Sequence, residues 1–284
     1  MKRIGLAILG LVLSAAVINS ANSQDKKSLT IKGSDTMVHL VSAWAETYMK
    51  ENPGIEISVT GGGSGTGIAA LINNTTDIAS ASRNIKEKEI DQAKENNVMP
   101  LETKVALDGI AVAVNPNNPV NELTMEQLKK IFTGEVTNWN QVGGNDENII
   151  VLSRESSSGT YLFFMEHVMD KKDYTKSARL MPATSAIVQA ITEDKTSIGY
   201  IGLGYAEEAK GKIKVIPVKK DANSPAVKPS VDTVKDGSYP ISRGLFLYSK
   251  TAVSYSGIIR EFLNFCLSGE GQKIVVDNGY VSIK

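Results

Sequence analysis

Hydrophobic and polar positions alternate along this chain in two periods, and the switching between them predicts a regular succession of strands and helices. Leu29–Ile31 and Ile55–Val59 repeat every second residue, as half-buried strands do. Between them Val38, Val41, Ala45, Tyr48 and Met49 fall at helical spacing, and Pro53-Gly54 ends that helix. A small-residue helix is expected over Ser64–Asn73, a short strand over Ile78–Ala81 and a charged, solvated helix over Ile85–Asn96. Val105–Val114 is almost unbroken in its apolar character and reads as a buried central strand. Further on, helices are expected at Thr124–Phe132, where Thr124 and Gln127 have the spacing of a capping box, and at Ser158–Met169, Ser185–Thr192, Ile258–Leu267 and Gly271–Asp277. Strands are expected at Ile149–Leu152, Ser197–Ile201, Lys212–Val218 and Leu245–Tyr248, and a loop over Asp221–Tyr239.

Such alternation indicates an α/β protein with mostly parallel sheets. The sharp break at Asn115-Pro116-Asn117-Asn118-Pro119 suggests that a second lobe starts there, and the loop before Tyr239 that the chain then returns to the first. The expected division is residues 24–112 with 241–284 as one lobe and 113–240 as the other. Two crossings make a hinge with a cleft between the lobes, where ligands favour the carboxyl ends of strands.

Composition narrows the function classes. The 284 residues include 31 Lys and Arg against 31 Asp and Glu, and no basic excess exists to hold a nucleic acid or a membrane surface. Any anion must be held by local geometry. The one cysteine, Cys266, lies among Phe262, Leu263, Phe265 and Leu267 and reads as a buried small hydrophobe. With two histidines and no Cys/His cluster, no metal or cofactor is expected. Lys2 and Arg3 before the apolar run Ile4–Ile18, then Ala21-Asn22-Ser23, form a secretory signal peptide over residues 1–23. No cysteine follows it to carry a lipid, so a free chain starting near Gln24 in an extracytoplasmic, periplasm-like space is expected.

Three segments share one design of strand, small-residue turn and helix: Gly33-Ser34-Asp35-Thr36-Met37, Gly61–Gly67, and Ser156-Ser157-Ser158-Gly159-Thr160 with Arg154 just before it. The first N–H groups of a helix lack intrahelical partners, and the helix dipole adds positive charge there. An anion can therefore be held at such a start without Lys or Arg. Hydroxyls of Ser and Thr add donors that rotate to suit, and Arg154 offers a two-pronged charge. Taken singly, the first segment can be an ordinary N-cap, Gly61–Gly67 a flexible linker and Arg154 a surface charge; the three together point to an oxyanion. Enzyme readings fail on detail. Ile68 follows Gly67 where a P-loop needs Lys, and Thr66 stands where a nucleophile elbow around Ser64 needs Gly. His39 and His167 are not placed as bases for Ser64 or Ser158.

In these segments the chain resembles the phosphate-binding proteins of bacterial phosphate ABC importers. The resemblance extends through Asp77–Arg83, Leu107-Asp108-Gly109, Asn115-Pro116, Phe132-Thr133-Gly134, Thr137-Asn138-Trp139 and Ile198–Gly202, over essentially the whole chain after residue 23. It implies the two-lobed type II periplasmic-binding-protein fold, capture of inorganic phosphate, a membrane permease as partner, a monomer and no catalysis. It also implies ligand contacts from Thr36, Met37, Ser64, Arg154, Ser158, Gly159 and Thr160. One position departs: Ser82 stands where better-known members carry the aspartate that accepts the phosphate proton. Asp108, which interrupts an apolar run, and Asp35 are then the expected acceptors, Asp108 ahead of Asp35, whereas Asp77 is expected to hold structure. Sulfate, molybdate or a secreted phosphatase are the alternatives.

Overall fold

The structure, a computed structural model, describes residues 27–250 and 257–284. The expected signal peptide lies outside them. Among the described residues no helix is long and apolar enough to cross a membrane, and no group of three or more His, Cys, Asp or Glu could hold a metal ion.

The chain opens with β1 (Lys27–Gly33), a single 3-10 turn (Asp35–Met37) and α1 (Val38–Glu51), followed by β2 (Ile55–Thr60), α2 (Ser64–Ile72), β3 (Ile78–Ala81) and α3 (Glu87–Glu95). The strand expected over Val105–Val114 starts earlier, as β4 (Pro100–Val114). Then come β5 (Leu123–Thr124), α4 (Met125–Thr133), β6 (Ile150–Arg154), α5 (Gly159–His167), β7 (Arg179–Met181), α6 (Thr184–Glu193), β8 (Ser197–Gly202) and α7 (Leu203–Glu208). The last part holds β9 (Lys214–Ile216), β10 (Val218–Lys219), β11 (Ala226–Val227), α8 (Val231–Lys235), β12 (Ser242–Lys250), α9 (Gly257–Cys266) and α10 (Gly269–Asp277).

Among the described residues nine strands form one sheet in the order β2-β1-β3-β12-β4-β8-β6-β7, with β9 also on β4. On the flanks β2, β1 and β3 run parallel, as do β8, β6 and β7. The two middle strands run antiparallel to their neighbours. β4 joins the two lobes: through Gly109 it pairs with β12, and from Ile110 it pairs with β8. The return crossing runs beside it, with the Ile110 N–H donating to Ile241 O at 2.8 Å and the Tyr239 hydroxyl to Ile110 O at 2.7 Å. Trp44, Leu40, Leu247 and Phe262 belong to the core on one side of this junction, and Phe132, Trp139, Phe164 and Tyr200 to the core on the other. Each indole is anchored as well as buried: Trp44 Nε1 donates to Gly271 O and Trp139 Nε1 to Thr196 O, both at 2.8 Å.

Local chemistry sets the boundaries. The Thr124–Gln127 capping box forms, with reciprocal bonds of 2.8 and 3.1 Å. The strand expected over Lys212–Val218 is split in two: Pro217 has no N–H to donate, and the chain leaves β4 there to pair with β5. The segment expected as a loop, Asp221–Tyr239, contains β11 and α8, which a Ser230–Thr233 capping box starts. Cys266 is fully buried, and burial pushes its thiol well up.

Candidate functional site

The three small-residue turns meet where the lobes face each other. The turn after β1 contributes Ser34, Asp35, Thr36 and Met37; α2 starts at Ser64; the end of β3 leads to Ser82; and α5 starts after its N-cap Ser158. Ser34, Thr36, Met37, Ser64, Ser82, Ser158 and Thr160 are all buried. Their hydroxyls form short contacts among themselves: Ser34 with Ser82 at 3.0 Å, Ser64 with Ser82 at 3.3 Å, and Thr36 with Thr160 at 2.9 Å. The last of these joins two helix starts from opposite lobes. The Ser158 hydroxyl is occupied by its own helix, accepting from the N–H groups of Thr160 and Tyr161 at 3.2 and 3.3 Å.

Glycines let the backbones approach. Gly63 has φ 101°, and a Cβ there would lie 2.6 Å from Ser157 O. The neighbouring Gly65 N–H donates to that same oxygen at 2.9 Å. Gly159 packs directly on the hydroxyl cluster: a Cβ on it would meet Ser64 Oγ at 2.3 Å and Ser82 Oγ at 2.7 Å.

Two ion pairs flank the cluster, one fully buried and one with a half-buried aspartate. Arg154 faces Asp35 across the lobes at 3.3 Å. Its Nε donates to Met181 O at 3.2 Å, Nη1 to Thr184 Oγ1 at 2.8 Å and Nη2 to Pro182 O at 2.9 Å. Burial lowers the pKa of this guanidinium while the Asp35 charge opposes the shift. Asp35 also accepts from the Thr184 N–H at 2.7 Å. The second pair is Arg243 with Asp108. Arg243 Nε and Nη2 both donate to Asp108 Oδ2, at 3.0 and 2.8 Å, and the Leu203 N–H donates to Oδ1 at 2.9 Å. Burial pushes the Asp108 carboxyl up, and Arg243 and the Leu203 N–H pull it back. Both carboxylates expected as proton acceptors thus face a guanidinium and a backbone N–H. Asp77 holds β1, accepting from the Thr30 N–H and hydroxyl at 2.7 and 2.8 Å.

Arg243 is the residue that the sequence reading missed. It sits at the start of β12, and its Nη2 donates to Thr160 Oγ1 at 3.0 Å and lies 3.5 Å from Thr36 Oγ1. The available signal was an arginine heading the apolar run Leu245–Tyr248. Beside it opens a cleft of about 430 Å³, lined by Arg83, Lys86, Phe163, Glu166 and His167 as well as Arg243. Lys86 and Glu166 close one rim of that cleft at 3.4 Å.

Residues 19–270 match the family model of the PBP superfamily domain. The phosphate-binding protein PstS of Staphylococcus haemolyticus is 39% identical over 255 residues, covering 88% of this chain and 79% of the relative. Protein SphX of Synechococcus elongatus is 34% identical over 285 residues, covering 98% and 84%. Among solved structures, a phosphate ABC transporter substrate-binding protein of Clostridium perfringens with bound phosphate superposes with a TM-score of 0.82 at 31% identity, covering 91% of this chain and all of that one. An ABC-type phosphate transport receptor from Vibrio cholerae gives 0.71 at 31% identity, covering 89% and 99%. Together with the two-lobed fold and the serine- and threonine-lined cleft, these likenesses identify the chain as a member of the PBP superfamily, in the family of the phosphate-binding protein PstS.

Proposed function

We propose that this protein captures inorganic phosphate outside the cytoplasm and delivers it to a membrane ABC permease for import. The observation that carries this reading is the convergence of helix starts from both lobes on one buried cluster of hydroxyls, Thr36, Ser64, Ser82 and Thr160. Thr36, Met37, Ser64, Ser82, Ser158, Gly159 and Thr160 then surround the anion with hydroxyl and backbone N–H donors. Arg154, Asp35 and Asp108 belong to the same site. Near neutral pH phosphate keeps a proton, and a hydroxyl can accept as well as donate, so Ser82 can accept a hydrogen bond from that P–OH where the resemblance implies a carboxylate in better-known members. The site binds and releases; no step of bond-making is assigned to it.

The working division is residues 24–112 with 241–284 against 113–240, the lobes closing over the anion about β4 and the Tyr239–Ser242 crossing. The chain acts as a monomer without cofactor, metal or nucleic acid. It reaches a periplasmic space through cleavage of residues 1–23 and carries no lipid. A second reading, a general tetrahedral-oxyanion binder that also takes sulfate, is favoured by one observation: Asp35 and Asp108 are both engaged by arginines. Titration calorimetry of ligand-stripped protein with phosphate, then sulfate, separates them. Phosphate binding that excess sulfate cannot displace supports the first reading, equal binding the second, and no binding of either anion refutes both.

A further inference from the structure

We infer that Arg243, held by Asp108, supplies the full positive charge to the bound oxyanion, and that Arg154 serves instead as a clamp between the lobes. This rests on the phosphate reading and goes beyond it by assigning the charge.

The two guanidiniums are both buried but differ in what they have left to give. Each nitrogen of Arg154 is engaged, by Met181 O, Thr184 Oγ1, Pro182 O and the Asp35 carboxylate. Its partners lie on both sides of the lobe boundary, which suits a clamp. Arg243 is committed along one edge only: Nε and Nη2 share Asp108 Oδ2. Its Nη1 is buried and has no hydrogen-bond partner. A buried N–H without a partner is costly, and native proteins tolerate few.

Guanidinium is planar with a fixed fork of donors, so Nη1 lies beside Nη2. That Nη2 is the atom reaching Thr36 Oγ1 and Thr160 Oγ1, at the junction of the two lobes' helix starts. The edge formed by Nη1 and Nη2 is therefore turned to the hydroxyl cluster. Because Thr160 Oγ1 accepts from Arg243, its own proton is left to donate. An anion oxygen beside Thr36 and Thr160 would complete the valence of Nη1. Asp108 acts as the positioning residue: fully buried and tied to the Leu203 N–H, it fixes the plane of the fork.

The test is phosphate titration of the wild type and of the neutral pair Arg243→Gln/Asp108→Asn, which removes the charge without stranding a buried carboxylate. Two charge-assisted bonds correspond to an affinity loss of about 100-fold or more. A structural role would lower the melting temperature of the ligand-free protein. The inference instead expects ligand-free melting to stay near wild type while the phosphate-induced rise disappears. It also expects affinity to change less with pH across the second ionisation of phosphate in the neutral pair than in the wild type. Should the neutral pair fail to fold, Arg243→Lys carries the test, because it keeps Asp108 paired but lacks the fork; about a tenfold loss is expected. Either variant folded and binding within about threefold of wild type overturns the assignment. If the wild type itself binds neither phosphate nor sulfate, the phosphate reading falls and takes this inference with it.

Discussion

Adding one methyl group at Gly159 tests whether the hydroxyl cluster exists only when the lobes are shut. Gly159 is the first residue of α5, whose Phe163 and Phe164 belong to the core built around Tyr200, whereas Ser64 begins α2, which packs through Ile68 and Leu71 in a separate core. The Cβ of an alanine would lie 2.3 Å from Ser64 Oγ, 2.7 Å from Ser82 Oγ and 3.0 Å from Ser64 Cβ. All three contacts cross between those cores, so the clash arises on closure and not within either lobe. Within its own helix the alanine is favoured over glycine by up to about 1 kcal/mol. Overpacking of this kind costs about 1–3 kcal/mol, which here opposes closure and so appears as phosphate affinity weakened by about 5- to 150-fold. Calorimetric titration gives the affinity, and thermal unfolding without ligand gives the control. Gly159→Ala should melt at or slightly above the wild-type temperature when ligand-free, and gain less from phosphate. An affinity equal to wild type would refute the reasoning, since it would mean that phosphate is held without bringing Gly159 against Ser64 and Ser82.

Other consequences are simpler to read. Asp35→Ala removes the acceptor of the Thr184 N–H and the ionic partner of Arg154, both across the lobe boundary, and should weaken phosphate binding by about tenfold or more, measured by the same titration. Glu166→Gln breaks only the half-exposed bridge to Lys86, and its effect on affinity should stay within about threefold. Glu89 is a pH probe. Burial alone would raise its carboxyl, but the two bonds from Arg83, at 2.8 and 2.6 Å, and the Lys86 N–H at 2.9 Å hold it below the ordinary carboxylate range. A carboxyl depressed by folding stabilises above its unfolded pKa, about 4.3, and that contribution is lost as pH falls through the lower folded value. Glu89→Gln should therefore cost about 1.5–3 kcal/mol at neutral pH in denaturant unfolding, with the gap to wild type narrowing in acid; a constant gap would show that packing, not charge, is responsible.

The α/β alternation and the three turns were legible because each depends on residues close in sequence. Thr124 with Gln127, the glycines before Ser64 and the N-cap Ser158 carry their structural instruction within a few positions. Pro217 was legible too, had its missing N–H been weighed against an unbroken strand. Short elements such as β11 and α8 were hidden because two and five residues are too few to show a period, although the Ser230–Thr233 box that starts α8 is itself local. The charges around the cluster were harder still. Asp108 could be flagged as a carboxylate inside an apolar run, yet its partner Arg243 lies 135 residues further on. Arg154 stood beside the right serine cluster in sequence, and nothing local announced that Met181, Pro182 and Thr184 would engage its nitrogens.

A chain with no net charge can hold an anion because its site charges are not left to the bulk field. Each of the two buried arginines beside the hydroxyl cluster is matched by a buried or half-buried aspartate, Arg154 by Asp35 and Arg243 by Asp108. Such a pair is weak evidence for stability, since desolvation offsets most of the attraction. Its value here is orientation. A guanidinium fixed along one edge presents the other without the entropic cost of arresting a free side chain, and hydroxyls anchored on helix starts behave alike. Ser82 brings a neutral hydroxyl to the cluster, and the negative charge that balances Arg243 sits on Asp108, on the other edge of the guanidinium from Thr160.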